Sequence, residues 1–456
     1  MKGLVRMRIR DWSFVLLVCL LAVTALAIVA AAAEVTPPPE GNLFINQANS
    51  PATITSRTVF VNGNIIVDSA GALTITNSVV TVNSSVVINT FGSLSLVNST
   101  LRFNCTTRSD NFLRVEESGT LTVRDEDANR ETTGDRSVIT SVNDIRFNIT
   151  VAAKANLRIY ESLISLAGRH SPMGTLPEGV QVKSDNAEVR GTRFERCFVG
   201  LVIDSAEKVK VSNCTFDQCE YAGIFMRGAI EAKVEDCTVT RGLRYGILMR
   251  GFASKMTLSR CDVSGSAEAE MELVTLSGDS NLVNWSTFGP GPGVGVRATE
   301  AEAVTFAKCA VTRCATGIEL ALSKLTFREV AIDNCTTGLK AVSGTYTLED
   351  VSVLDTTAGV DPGVVGNLSC KSRMRIDRSR LDLGRFLVVQ TNGVLNVTNS
   401  TLSFRLSKGA PTGVIVESKG ALGMVDCTVD SPVSRLLVFR LMPLCVFELR
   451  ASTISS

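Results

Sequence analysis

Histidine is almost missing from this chain of 456 residues: there is one, His170. Zinc sites of mixed ligands usually draw on more than that, so neither a bound metal nor a cofactor is expected. Aromatic residues are few, 5% overall, with two Trp and four Tyr. The formal net charge is only +1, which gives no electrostatic reason to expect nucleic acid or a generally acidic partner. Beyond residue 33 there is no long apolar run, so a second membrane span is not expected.

What is present begins at the N-terminus. Lys2, Arg6, Arg8 and Arg10 precede an apolar run from Phe14 to Ala33 that ends in small residues. This describes a secretory signal peptide over 1–33, with an uncleaved membrane anchor as the alternative. The stretch "EVTPPPEG" over 34–41 reads as a Pro-rich linker. The remainder is expected outside the cell or on its surface. Sequons at Asn83, Asn98, Asn148, Asn213, Asn284, Asn367 and Asn396 agree with export as a glycoprotein. Their weight is small, because Asn98, Asn213 and Asn399 share one position of an internal repeat.

That repeat is the main feature. "GALTITNSVVTVN" at Gly71 is followed by "GSLSLVNSTLRFN" at Gly92, then much later by "GVLNVTNSTLSFR" at Gly393 and "GALGMVDCTVDSP" at Gly420. Counting from the first glycine, positions three and five are apolar, as in Leu73 and Ile75, Leu94 and Leu96, or Met374 and Ile376. Position seven is polar, eight is small, and ten is apolar again. A third segment, "GLVI" at Gly200, "GIFM" at Gly223, "GILM" at Gly246 and "GIEL" at Gly317, completes the unit. Three short strands with tight corners in about 21 to 27 residues make one coil of a parallel β-solenoid. The longer spacings at Asp125–Thr133 and Arg169–Gly179 read as loops inserted at corners.

The pattern "VKVSNCTFDQCEYAGIFM" resembles the right-handed parallel β-helix repeat of the pectin-lyase-like superfamily, and among its members the NosD-like group and archaeal or bacterial surface proteins. The resemblance implies an all-β fold of about 16 coils over 42–456. At roughly 4.8 Å per coil that is a rod some 75 Å long. The chain is expected to stop in mid-coil, since "CVFELRASTISS" opens another unit at Cys445. Function does not follow from this fold, which hosts lyases, hydrolases, epimerases, adhesins and stalks.

Five of the 13 cysteines stand at position eight (Cys214, Cys237, Cys261, Cys309, Cys427) and four at position thirteen (Cys197, Cys219, Cys314, Cys335). Elsewhere these positions hold other small residues, so ladders of buried thiols are expected ahead of disulfides. No dense Asp group, "GHG" or Arg-x-Pro signature of a lyase is present, and no catalytic residue is assigned. The outward positions of the third strand include Val202, Phe225 and Leu248, with Arg227 and Arg250 beyond them and Tyr221 and Tyr245 nearby. If exposed, that stripe would suit a polysaccharide or cell-surface glycan; an inserted loop over Gly168–Gly179 would instead bury it. The leading expectation is a non-catalytic exported β-helix serving as stalk, adhesin or glycan-binding surface. A polysaccharide lyase or hydrolase is second, and a NosD-like accessory protein in metal delivery third.

Overall fold

Alternation of apolar and polar residues, with a corner every few residues, can be satisfied by winding the chain so that identical positions stack. The computed structural model shows this arrangement. It describes residues 32–455 except 107–110, 128–133, 170–177, 342–343, 355–359, 362–366, 371–372, 379, 384–385, 405–411 and 431–436. Nearly all its regular structure is strand; a single short 3₁₀ turn spans Gln47–Asn49.

Among the described residues most coils contribute one strand to each of three faces, and the strands of a face pair in parallel from one coil to the next. Face I is an 18-stranded sheet among the described residues. In it Leu73 stacks on Leu94 and Ile75 on Leu96. Face II stacks Val80 on Leu101, and face III stacks Leu201 on Ile224. These inward residues form one continuous core in which most side chains are less than 4% exposed. Aromatic side chains stack there as well, Phe194 on Phe216 at 4.7 Å and Phe306 on Phe327 at 5.0 Å.

Corners are made by single residues in the left-handed backbone region. Between faces I and II these are position-seven residues such as Asn77, Asn213, Asp236 and Lys308, with φ of 50 to 55°. Between faces II and III they are Arg196, Gln218, Arg241, Arg313 and Asn334, with φ of 52 to 54°. After many of these corners comes a small side-chain donor. Ser78 Oγ donates to Thr76 O at 2.8 Å, and Cys214 Sγ stands 3.3 Å from Ser212 O. Cys314 Sγ stands 3.3 Å from Thr312 O at the other corner. The cysteines at both positions are buried free thiols, as the ladder reading expects.

The described chain starts on the first coil: Ala33, the last residue of the expected signal segment, and Glu34, the first of the expected linker, pair with Ala52 and Thr53, and Glu34 contacts Arg57 at 2.6 Å. Edge hydrogen bonds and partial burial of Val35 against the core hold them there. One expectation about the path is corrected, and it concerns phase. Met374 and Ile376 do not continue face I; they stack on Val351 and Val353 of face II. From there on the repeated phrase occupies faces II and III, so Asn399 turns the corner that Gln218 turns in the central coils.

Candidate ligand-binding face

Face III carries the residues singled out from the sequence. Val202, Phe225 and Leu248 do come together on successive coils, Val202 beside Phe225 and Phe225 beside Leu248. They are not a solvent-facing stripe, however, because they are 0, 1 and 3% exposed. With Phe198, Val199, Ala222, Tyr245, Ala269 and Val294 they form a second apolar cluster, separate from the main core. The loop expected to cover them, and His170 within it, lie largely outside the described residues, as do residues 1–31 of the expected signal segment. Among the described residues no helix is long and apolar enough to cross a membrane.

The two tyrosines meet on this face. Tyr221 and Tyr245 pack edge to face at 5.5 Å, and Tyr221 stacks on Phe198 at 5.7 Å. The guanidinium beside them is Arg244, which sequence reasoning passed over. It lies 5.2 Å from the Tyr221 ring and 5.3 Å from the Tyr245 ring. Its Nε donates to Glu268 at 2.6 Å. This bond holds the Glu268 carboxyl below the usual range and raises the arginine further. Burial, then Glu268 and Glu272, push the Tyr245 phenol up, so it stays protonated and acts as a donor.

Arg227 is engaged elsewhere. It donates two bonds to Asp204, at 3.1 and 2.8 Å. Asp204 is itself only 3% exposed. Arg250 is exposed and has no ion pair among the described residues.

Two further positions of the face escaped sequence reading, Glu272 and Arg297. The Glu272 coil, "AEMELVTLS", has Glu270 where the others have glycine, whereas Arg297 stands in "GVRA" at Gly295, behind an extended Gly/Pro corner. Register places Glu272 beside Leu248, Arg297 beside Glu272, Glu319 beside Arg297 and Lys340 beside Glu319. The result is a ladder of alternating charge. Arg297 reaches Glu319 at 3.0 Å and Glu272 at 3.9 Å, and Lys340 reaches Glu319 at 3.0 Å. Burial raises the Glu272 carboxyl. For Glu319 burial acts in the same direction, but Lys340 and Arg297 outweigh it and hold the group low.

Away from this face, the carboxylates of Asp125, Asp127 and Asp135 lie within 4.8 Å of one another. They could supply three oxygens to a hard cation, which takes about six to eight.

Comparison with known proteins gives likenesses of low identity. The periplasmic alginate epimerase AlgG aligns over 93% of this chain and 85% of its own, at 10% identity and a TM-score of 0.39. The A-module of the Azotobacter vinelandii mannuronan C-5 epimerase AlgE6 aligns over 90% and 92%, at 10% identity and a TM-score of 0.31. The Dettilon tailspike protein aligns over 81% and 62%, at 9% identity and a TM-score of 0.30. Likeness at this level says nothing of this chain's chemistry. No curated protein matches the sequence. Residues 178–345, the coils that carry the face just described, match the family described as the right handed beta helix region.

Proposed function

We propose that the chain is an exported, non-catalytic β-helix protein of the cell surface, a stalk or adhesin whose third face binds polysaccharide or cell-surface glycan. One observation carries this reading: the half-buried Tyr221 and the Arg244 guanidinium lie on the same face as Arg250, which has no ion pair among the described residues. Aromatic rings offer an apolar surface to a sugar ring, and guanidinium groups offer several donors in a fixed plane. Because the coils stack at roughly 4.8 Å, such groups recur along the rod and suit a polymer. The test is co-sedimentation with a panel of neutral and acidic polysaccharides, with cleavage followed as new reducing or unsaturated ends. Binding without cleavage, weakened in Arg244→Ala and Arg250→Ala, supports the reading. Cleavage overturns it, and failure of every polymer to bind leaves the plain stalk.

A hydrolase is the second reading. Glu272 is raised by burial and Glu319 is held low, two coils apart on one face, and carboxyls pushed in opposite directions are what acid and base roles require. Here Glu272→Gln would abolish the appearance of reducing ends while leaving binding intact.

A further inference from the structure

The corner between faces II and III varies in length from coil to coil. In most central coils three or four residues turn this corner. After the face II strand Val138–Ser141, however, six residues intervene before Asn148–Val151. The extra residues overhang the next coils. Phe147 anchors the overhang from inside, fully buried and stacked on Phe103 at 4.5 Å. Between the overhang and the corner residues Arg196, Gln218 and Arg241 lies a cleft of about 440 Å³. That volume is in the range of small-molecule sites, about 300 to 1,000 Å³.

The charges of the cleft cancel in pairs. Arg146 of the overhang meets Glu220 at 2.6 Å, and Arg196 meets Asp144 at 3.1 Å. Arg241 donates through Nε to the buried Asp217 at 2.8 Å. An anionic ligand would have to displace Asp144 or Glu220 from its arginine, and a cationic ligand would have to displace the arginines. A hydroxyl has no such cost, since it both donates and accepts. A guanidinium carries five N–H donors and a carboxylate about four acceptor sites, so each pair keeps unused capacity. The exposed Gln218 amide adds a donor and an acceptor and makes no side-chain hydrogen bond among the described residues. Apolar surface is present too: Leu243, 61% exposed, and the nearly buried Leu166 line the same cleft.

We infer that this corner cleft is a binding site for a neutral sugar unit, held by hydroxyl contacts to the paired side chains and by its C–H face on Leu243. The site is distinct from the Arg244 face and does not depend on it. The experiment uses the full chain with glucan, galactan and mannan oligosaccharides, read by saturation-transfer NMR at low and high salt. At least one neutral oligosaccharide is expected to bind with an affinity that salt leaves unchanged, because no net charge is exchanged. Leu243→Ala and Gln218→Ala should each weaken it roughly tenfold, the equivalent of about 1.4 kcal/mol. Both side chains are exposed, so an unchanged melting temperature verifies the fold in the same samples. Arg244→Ala should leave this binding intact, which separates it from the face III reading. The inference is overturned if no neutral oligosaccharide binds, if neither cleft variant weakens binding, or if only acidic oligosaccharides bind and high salt abolishes the signal.

Discussion

The outward column of face III changes character half-way along. Val202, Phe225 and Leu248 form a buried apolar run, and the next four positions, Glu272, Arg297, Glu319 and Lys340, form a charged ladder. The inward positions of the same strands do not change: Ile203, Met226, Met249, Leu273, Ala298 and Leu320 are all within 2% of full burial. The repeat therefore fixes what points inward and leaves the outer surface free. Stacking demands only that each coil bury its inward side chains against the next. Any specificity of this molecule has to lie in the outer columns and corners, where neighbouring coils differ.

The two halves should respond differently to truncation. Phe225→Ala removes a side chain only 1% exposed from the second apolar cluster. It should lower stability by about 3 to 5 kcal/mol, read from the urea midpoint of the full chain. Arg297→Ala takes away a side chain that is 28% exposed, and Glu319 keeps Lys340 as a partner. Its cost should be about 1 to 2 kcal/mol, mostly from leaving Glu272 less compensated. Equal losses at the two sites would mean that the contrast is one of composition and not of energetics.

At the boundary stands Glu270. Register pairs its neighbours Ala269 and Met271 with Tyr245 and Ile247, so Glu270 falls in the column of Gly200, Gly223 and Gly246. Glycine suits that column because the chain packs closely there; a Cβ on Gly223 would come within 2.5 Å of Val239. The Glu270 side chain escapes toward the corner, where its oxygens accept from Ser266 N at 3.1 Å. Its residue is 1% exposed, and burial pushes its carboxyl up to about 7. Between its ordinary value of about 4.5 and 7, the folded chain keeps a proton that the unfolded chain has lost. Stability should therefore fall as pH rises through this window, by about 3 kcal/mol in all. Glu270→Gln should flatten the dependence, and thermal melts at pH 5 and 8 would show it. A wild-type profile as flat as the variant's would remove the carboxyl from its assigned place.

Much of the fold was legible because stacking imposes one residue class at each inward position. Leu73, Leu94 and Leu121 align in space as they align in the text. Phase was harder to read, for a physical reason. Both inner corners use the same local grammar: an inward apolar residue, a polar one, a left-handed residue, and then a small donor. Val211-Ser212-Asn213-Cys214 spells it at the first corner, and Phe216-Asp217-Gln218-Cys219 at the second. A phrase that fits either corner does not say which face it occupies, so Met374 could be read on face I and stand on face II. The site was less legible still. Burial of Phe225 depends on packing outside the coil, Glu272 lies in a coil where Glu270 replaces the opening glycine, and Arg297 follows a Gly/Pro-rich corner that lengthens its coil. The Arg244 contact had a usable signal, its place directly before Tyr245 and one coil from Tyr221.

The equivalence of the corners gives the smallest expected effect. Cys214 and Cys219 are each 1% exposed, one at each corner. At the Cys214 position other coils place Ser78 and Ser99, whose hydroxyls donate to carbonyls at 2.8 Å. Serine there is both small enough and fully bonded, so its polarity is not left unsatisfied on burial. Cys214→Ser should change the unfolding midpoint by less than about 1 kcal/mol. Cys219→Ser should cost slightly more, because that thiol stands 4.0 Å from Asp217 O and the shorter hydroxyl needs a small shift to reach it. Leucine at either position should cost about 1 to 3 kcal/mol by overpacking. Loss of several kcal/mol in Cys219→Ser with none in Cys214→Ser would show that the two corners share a backbone but not a packing environment. The phrase could then be assigned to a face from its cysteines alone.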